Sequence, residues 1–507
     1  MQSNKYLNKQ DTDDKSVLTL SSMRERRNDT TKFRIDFIKN LMQGKELQPI
    51  VNFDSTATEE YTGKSYDDDE SGDSYDTRIV LKKRTHDINK IISQIGGKLK
   101  YIKSGTTGHT FKGTAVDDYG EFDYGVKVVA YPRRDKYGSI NNTKRPENAE
   151  IMMIKLLSYF VVKKQTPHIV LPIGTFNTSI KRFVNLIEED VVSSSNEKYN
   201  EFVQKYKKNE YHDEVSILIS EWANRGDLLD YIRNNYKNFS AMHWKVFFFQ
   251  ILSVLAVIQS KYPSFRHNDL KANNVLIQKI SRDRQYMNYK VDGVAYRIPN
   301  IGYQVKLWDF DFACIPGIVD NIKVESKWTK DINVTPEQNR YYDVHYFFNT
   351  LTRKGFFPQF LKEPEIPKDA IEFVQRVVPE KYRSGKNIHE RGRILVNDEY
   401  LTPSEILRQD PYFEEFRKNA ELLQRQKIKH KTKLSSILQS DNIDDAVVQF
   451  LGGNRKKSSV KKTKVKLDGL MENNDMDDDI VKLLVDKKKK STKKHKTHKK
   501  ESKSKKA

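Results

Sequence analysis

Strand-length runs fill the first part of the apolar middle of this 507-residue chain, and helical periodicity fills the rest. Residues 98–103 roughly alternate; 110–116 and 124–131 are strand-length and separated by the turn-rich DDYGEFD. EIMMIKLLSYFVV, from Glu150, has helical spacing, PHIVLPIGTF reads as another strand, and VSILISEW at 215–222 has the composition of a buried one. LLDYIRNNY, MHWKVFFFQILSVLAVIQ, DVHYFFNTLTRKG and TPSEILRQDPYFEEF follow, all helical patterns. Strands first and helices afterwards predict two segregated lobes, an α+β arrangement. Residues 177–214 are charged and lack a period, which marks an insertion.

Apolar residues make up only 37% of the chain because polar segments flank this middle; most of the 25 Phe and all four Trp lie between residues 122 and 413. Residues 1–80 read as a disordered, acidic leader, with eight carboxylates and one lysine at 59–76. One amphipathic stretch in it, Phe33, Phe37, Ile38 and Leu41, has helical spacing. Residues 419–507 read as a disordered tail carrying two short apolar islands and two basic blocks. Those blocks, 455–466 and 487–507, hold +7 and +11 of a formal net charge of +21. The body is therefore close to neutral, which excludes a basic nucleic-acid-binding fold as a description of the whole. Cys314 is the single cysteine, so an intrachain disulfide and a multi-cysteine zinc site are excluded, which suits a reducing compartment. The N-terminal residues carry no apolar signal-peptide core. The longest apolar run, 246–258, is broken by Gln250 and Ser253 and is short for a bilayer span. The expectation is an intracellular protein, cytoplasmic or nuclear, with no membrane contact and an oligomeric state left open.

The chemistry concentrates in a few short strings. RHNDLKANNVLI, from Arg266, sets His267, Asp269, Lys271 and Asn274 at offsets 0, 2, 4 and 7 before a strand-like end. In such a loop an Asp can orient and deprotonate a hydroxyl, a Lys can neutralise a phosphate, and an Asn can ligate a metal. VKLWDFDFA then runs an apolar strand into Asp309, a second hard oxygen ligand of the kind that Mg²⁺ bridging two phosphates needs. Upstream, IKSGTTGHTFKG lies between two predicted strands, with Gly105 and Gly108 able to let backbone amides approach phosphates. Lys127 lies on the next strand, in YGVKVV.

In this order the strings resemble a eukaryotic-type protein kinase over roughly residues 95–415. The resemblance implies a two-lobed kinase-like domain over 81–418, with a β-rich N-lobe to about 220 and a helical C-lobe from about 225. It implies an ATP site built from Ile102, Gly105, Gly108, Thr110, Lys127 and its helix partner Glu150, with Glu147 as fallback. Ser220 stands at the gatekeeper position, and the backbone of Glu221 to Ala223 would meet the adenine. Asp269 becomes the base, Lys271 the γ-phosphate ligand, and Asn274 and Asp309 the metal ligands. The implied cofactors are ATP and Mg²⁺, with Mn²⁺ an alternative, and the implied substrate is a protein. Asp343 resembles the helix aspartate that braces the catalytic loop, and Arg391 or Arg393 the arginine near the closing helix. The combination HNDLKANN, WDFDFA and YYDVHYFFNTL is similar to the serine/threonine-protein kinases of giant nucleocytoplasmic DNA viruses, which would place the protein in a host cell or virion.

Departures from the family pattern carry their own expectations. Lys103 occupies the first glycine position of the loop. Asn268 replaces an arginine that normally receives an activation-loop phosphate. Asp311 replaces a glycine where a permissive backbone is expected. TPE at 335–337 stands where a closing APE motif would be, only six residues before Asp343, and residues 281–304 form an insertion between the metal ligands. These departures keep a pseudokinase scaffold, tethered by its basic tail, as the alternative to an active serine/threonine kinase. Lys271 favours serine and threonine over tyrosine. The tail's plain role is solubility; its sharper one is contact with polyanions, DNA, RNA or acidic protein. His267, His345, Cys314 and Phe247 to Phe249 read as packing residues rather than reacting groups.

Overall fold

The computed structural model of the chain describes residues 30–53, 81, 83–117 and 120–438. The acidic run at 59–76, both apolar islands and both basic blocks lie outside the described residues.

The leader differs from expectation in its described part. Helix α1 (Thr31–Met42) starts where the Thr30 hydroxyl accepts from the Phe33 amide at 3.2 Å. Its buried stripe is Arg34, Ile38 and Met42, and Leu47 and Val51 continue it into the core. Apolar burial outweighs the polar composition here, while Phe33, counted as apolar in the sequence pattern, is half exposed. A second helix, α2 (Ile88–Ile95), is capped by Asp87 and buries Ile88, Ile91, Ile92 and Ile95 on one face.

The central sheet joins β1 (Lys100–Ser104), β2 (His109–Asp117), β3 (Gly120–Pro132), β4 (Pro172–Ser179) and β5 (Tyr211–Glu221) in the order β1-β2-β3-β5-β4, antiparallel throughout. Alternation along β3 sends Tyr124, Val126 and Val128 to one face and Lys127 to the other. Helix α3 (Pro146–Val162) supplies Glu150 to the Lys127 face. Between β4 and β5 the predicted insertion folds into α4 (Lys181–Val184) and α5 (Glu197–Lys207). It packs on the opposite face, with Phe183 on Phe111 at 5.8 Å and Phe202 on His109 at 4.6 Å between ring centroids.

Helices follow: α6 (Leu228–Asn235), capped by Asp227, and α7 (Ala241–Lys261). By length and composition α7 could cross a membrane, but Trp244 to Gln259 are almost all buried by the surrounding protein, as in a core helix. Strands β6 (Val275–Lys279) and β9 (Tyr303–Leu307) pair antiparallel, and the insertion between them is a hairpin of β7 (Tyr286–Val291) and β8 (Val294–Pro299). The short α8 (Lys327–Lys330) leads to α9 (Tyr342–Leu351), buried at every position. Then come α10 (Lys368–Val377), α11 (Glu380–Arg383), α12 (Pro403–Gln409), opened by a Thr402–Glu405 capping box, and α13 (Glu414–Leu438). The chain divides into two compact units between Ala420 and Glu421, and α13 continues through the 418 boundary where the polar tail was expected. Phe416 and Ala420 are buried in the first unit.

Candidate active site

Sheet register brings the first group together. Thr110 pairs with Lys127 across β2 and β3, and Lys127 Nζ reaches Glu150 Oε1 at 2.5 Å and Asp309 Oδ1 at 2.9 Å. Burial alone would lower the lysine's pKa, but the carboxylates of Asp309, Glu150 and Asp311 outweigh it and raise it. Burial likewise pushes Asp309 upward, and Lys127 overrides it, holding the carboxyl at about 2. Glu150 is raised by its burial and by Asp309, against the pull of Lys127. Glu147, the fallback partner, instead pairs with Arg145 at 3.1 Å.

The hairpin between β1 and β2 carries Gly105 and Gly108, whose backbones bond at 2.8 Å. A Cβ at Gly108 would stand 2.7 Å from the Val128 carbonyl oxygen, so only glycine fits that turn against the sheet. Lys103 reaches Asp227 Oδ2 at 3.4 Å, and Ile102 is partly exposed on β1. Ser220 and Ala223 are buried at the end of β5.

Pairing of β6 with β9 brings the two candidate oxygen ligands to one end of a ribbon: Val275 opposes Leu307, and the Trp308 amide bonds the Asn274 carbonyl at 3.2 Å. Asn274 Nδ2 donates to the Asp269 backbone oxygen at 2.8 Å and to its Oδ2 at 2.9 Å, and Lys271 Nζ lies 2.9 Å from the same Oδ2. With Nδ2 so engaged, the Asn274 amide oxygen is the atom that remains to meet a cation. Among the described residues no cluster of three His, Cys, Asp or Glu could hold a metal. Two hard oxygen donors, Asp309 and Asn274, fit a divalent ion whose other ligands come from phosphates.

The loop itself is strung on α9. Asp343 accepts from the His267 amide at 2.7 Å and from the Asn268 amide at 2.9 Å. His267 Nε2 lies 3.1 Å from the Trp308 carbonyl oxygen and its ring packs on Phe310, so it is a packing residue as read from the sequence. His345 meets the Tyr382 carbonyl at 2.7 Å, and the buried Cys314 thiol is pushed up to about 12, chiefly by burial.

The expectation for Asp311 is corrected: in the HNDLKANN and WDFDFA strings the left-handed residues are Asn268 and Asp309, each at φ 63°, not Asp311. Asp311 therefore needs no permissive backbone, and its carboxylate pairs with Lys323. Asn suits φ > 0 better than most residues, and Asn268 uses its amide to donate to the Phe312 and Thr335 carbonyls at 3.1 and 3.2 Å. Glu337 of the TPE string is exposed. Arg266 ties that string down, donating to Thr335 Oγ1 and the Glu337 carbonyl, each at 3.0 Å. Arg391 is exposed, while the buried Arg393 donates to Asp269 Oδ1, to the Asn268 carbonyl and, at 3.0 Å, to the Tyr342 hydroxyl. Glu221, expected only as backbone, has a carboxylate gripped by Arg34 at 2.5 Å and by Lys306 at 3.3 Å.

Residues 138–398 match the family model for poxvirus serine/threonine protein kinases. The chain belongs to that kinase family. A protein of Acanthamoeba polyphaga mimivirus named as a serine/threonine-protein kinase is 46% identical over 396 residues, covering 77% of this chain and 81% of its own. Serine/threonine-protein kinase 2 of fowlpox virus is 28% identical over 248 residues, covering 48% of this chain and 50% of its own. The kinase match spans Glu150, the Asp269 loop, Asp309 and Arg393, and begins after the glycine hairpin and Lys127. Kinases of this kind use ATP and a divalent metal in general.

Proposed function

We propose that the protein is an active serine/threonine protein kinase, moving the γ-phosphoryl group of ATP to protein hydroxyls, rather than a pseudokinase scaffold. The observation that carries this is that Lys127, Glu150 and Asp309 bond one another, Asp269, Lys271 and Asn274 do likewise, and Trp308, next to Asp309, bonds Asn274. A docking scaffold needs no such set. In this reading the β-sheet and the helical part act as two lobes of a domain over 81–418, closing on the nucleotide between them.

Lys127, held by Glu150, would bond the α- and β-phosphates, and the hairpin around Gly105 and Gly108 would cover them with backbone amides. Ile102 and Thr110 would line the same pocket, and the backbone of Glu221 to Ala223 would read the adenine edge. A divalent ion, Mg²⁺ by preference, supplies charge neutralisation between phosphates and would be held by Asp309 and Asn274. Asp269 orients the incoming serine or threonine hydroxyl and takes its proton, and Lys271 neutralises the γ-phosphate. Most of the rate comes from positioning and electrostatics, since phosphoryl transfer needs little covalent help from the protein. The Lys-rich tail, by its charge alone, suits salt-sensitive contact with polyanions in a host cell or virion. Lys127→Met and Asp309→Asn test the reading: each should cut phosphotransfer by orders of magnitude with folding intact, and unchanged turnover in both would sink it.

A further inference from the structure

Arg34 is 2% exposed, sits on a leader helix that precedes the matched kinase residues by more than a hundred positions, and has all three guanidinium nitrogens hydrogen-bonded. Its Nε and Nη2 grip the two oxygens of Glu221 at 2.9 and 2.5 Å. Nη1 donates to the Pro167 carbonyl at 2.9 Å and Nη2 also to the Ile169 carbonyl at 2.7 Å. The Glu221 carboxylate accepts further from the Leu171 amide at 2.9 Å and Lys306 Nζ at 3.3 Å. One carboxylate thus joins four segments: α1, the loop from α3 into β4, the end of β5 where adenine would be read, and β9, which ends two residues before Asp309.

We infer that Arg34 is a positioning residue for nucleotide binding, fixing the adenine-facing backbone at 221–223 and the strand that delivers Asp309. Glu221 cannot do this alone. Without Arg34 the carboxylate keeps only Lys306 Nζ and the Leu171 amide, both on Oε1, and a lysine's single ammonium fixes no planar geometry. The planar guanidinium holds Oε2 as well and ties in the Pro167 and Ile169 carbonyls, because its fork spans the carboxylate and two carbonyls at once. The sequence explains the arrangement: Arg34, Ile38 and Met42 form one helical stripe, so the apolar pair seats the helix and the arginine is carried to Glu221.

This inference rests on the kinase reading, and the experiment separates the two. Full-length protein is assayed with varied ATP at saturating protein substrate, then the reverse, for wild type, Arg34→Met and Arg34→Lys, with turnover expressed per folded molecule and ADP binding measured by calorimetry. Arg34→Met should raise the KM for ATP and the Kd for ADP about ten- to a hundredfold, the loss of charged hydrogen bonds. The KM for protein substrate should stay within about twofold, because no Arg34 bond touches the Asp269 loop. Arg34→Lys, which keeps the charge but not the fork, should fall between, and it decides the matter if the Met variant does not fold. A purely structural arginine would lower the melting temperature and the folded fraction while leaving the KM for ATP unchanged, and that result overturns the inference. A wild-type protein that binds no nucleotide refutes the kinase reading instead.

Discussion

Replacing Arg393 tests how the Asp269 loop is held. The guanidinium is buried among Asp269, the Asn268 carbonyl and the Tyr342 hydroxyl, and lies 4.1 Å over the Tyr346 ring. Asp269 keeps Lys271 and Asn274 on its other oxygen, so the carboxylate remains partnered in an Arg393→Met variant. Breaking a buried pair costs about 3–5 kcal/mol when one charge is stranded. Here the remaining partners reduce that toward about 2–3 kcal/mol, the worth of the lost charged hydrogen bonds. The larger effect is on rate. Without Arg393 the carboxylate is fixed on one side only, and a displacement of about 1 Å at a reacting group costs about a hundredfold. The prediction is a fall in kcat of about a hundredfold with the KM for ATP within about twofold, measured by steady-state transfer of radiolabelled phosphate. Arg393→Lys should recover part of it. A full wild-type kcat in Arg393→Met, with the fold intact, would show that Arg393 does not hold Asp269 in place for transfer.

Other outcomes follow from the same geometry. Asn268 and Arg266 hold the 312–337 segment through neutral carbonyls and a hydroxyl, so exhaustive phosphatase treatment should leave activity unchanged; loss of activity that rephosphorylation in that segment restores would contradict this. Glu221 would be raised by burial, but Arg34 and Lys306 hold it at about 2. A depressed carboxyl contributes stability that is full above its unfolded pKa of about 4.5 and is lost as pH falls through the folded value. Wild type should therefore lose order of 3 kcal/mol between about pH 4.5 and 2 from this group, and Glu221→Gln should flatten that limb of a denaturation series. Truncation after residue 454 should abolish salt-sensitive binding to duplex DNA, and equal affinity and salt slope with and without the tail would leave solubility as its role.

What was legible in the sequence was whatever chemistry is carried by neighbours in the chain. HNDLKANN places Asp269, Lys271 and Asn274 within six residues, so their spacing alone announces one loop. The strand runs were legible because alternation survives wherever one face of β3 is buried. Contacts made at long range were not. Arg34 meets Glu221 across 187 residues and Arg393 meets Asp269 across 124, and no local periodicity marks an arginine as buried when its partner is elsewhere. Arg34 also lies in a polar stretch whose composition argues for disorder; the buried Ile38, Met42, Leu47 and Val51 outweigh that composition only once the sheet and α3 are present to receive them. Asp311 was misjudged for a different reason, because the backbone that needs φ > 0 is set by the turn at Asp309, which the side-chain pattern does not show.

Whether the residues gathered around Lys127 and Asp269 catalyse phosphoryl transfer or merely bind nucleotide is decided by Asp269→Asn. The substitution keeps size and polarity but removes the charge that orients the hydroxyl and accepts its proton. Incubated with radiolabelled ATP, Mg²⁺ and a generic protein substrate, the wild type should label serine and threonine, and Asp269→Asn should be slower by at least about a hundredfold while binding ATP as tightly. Equal labelling by both proteins, or none by either with ATP still bound, would contradict the account and leave the scaffold reading in its place.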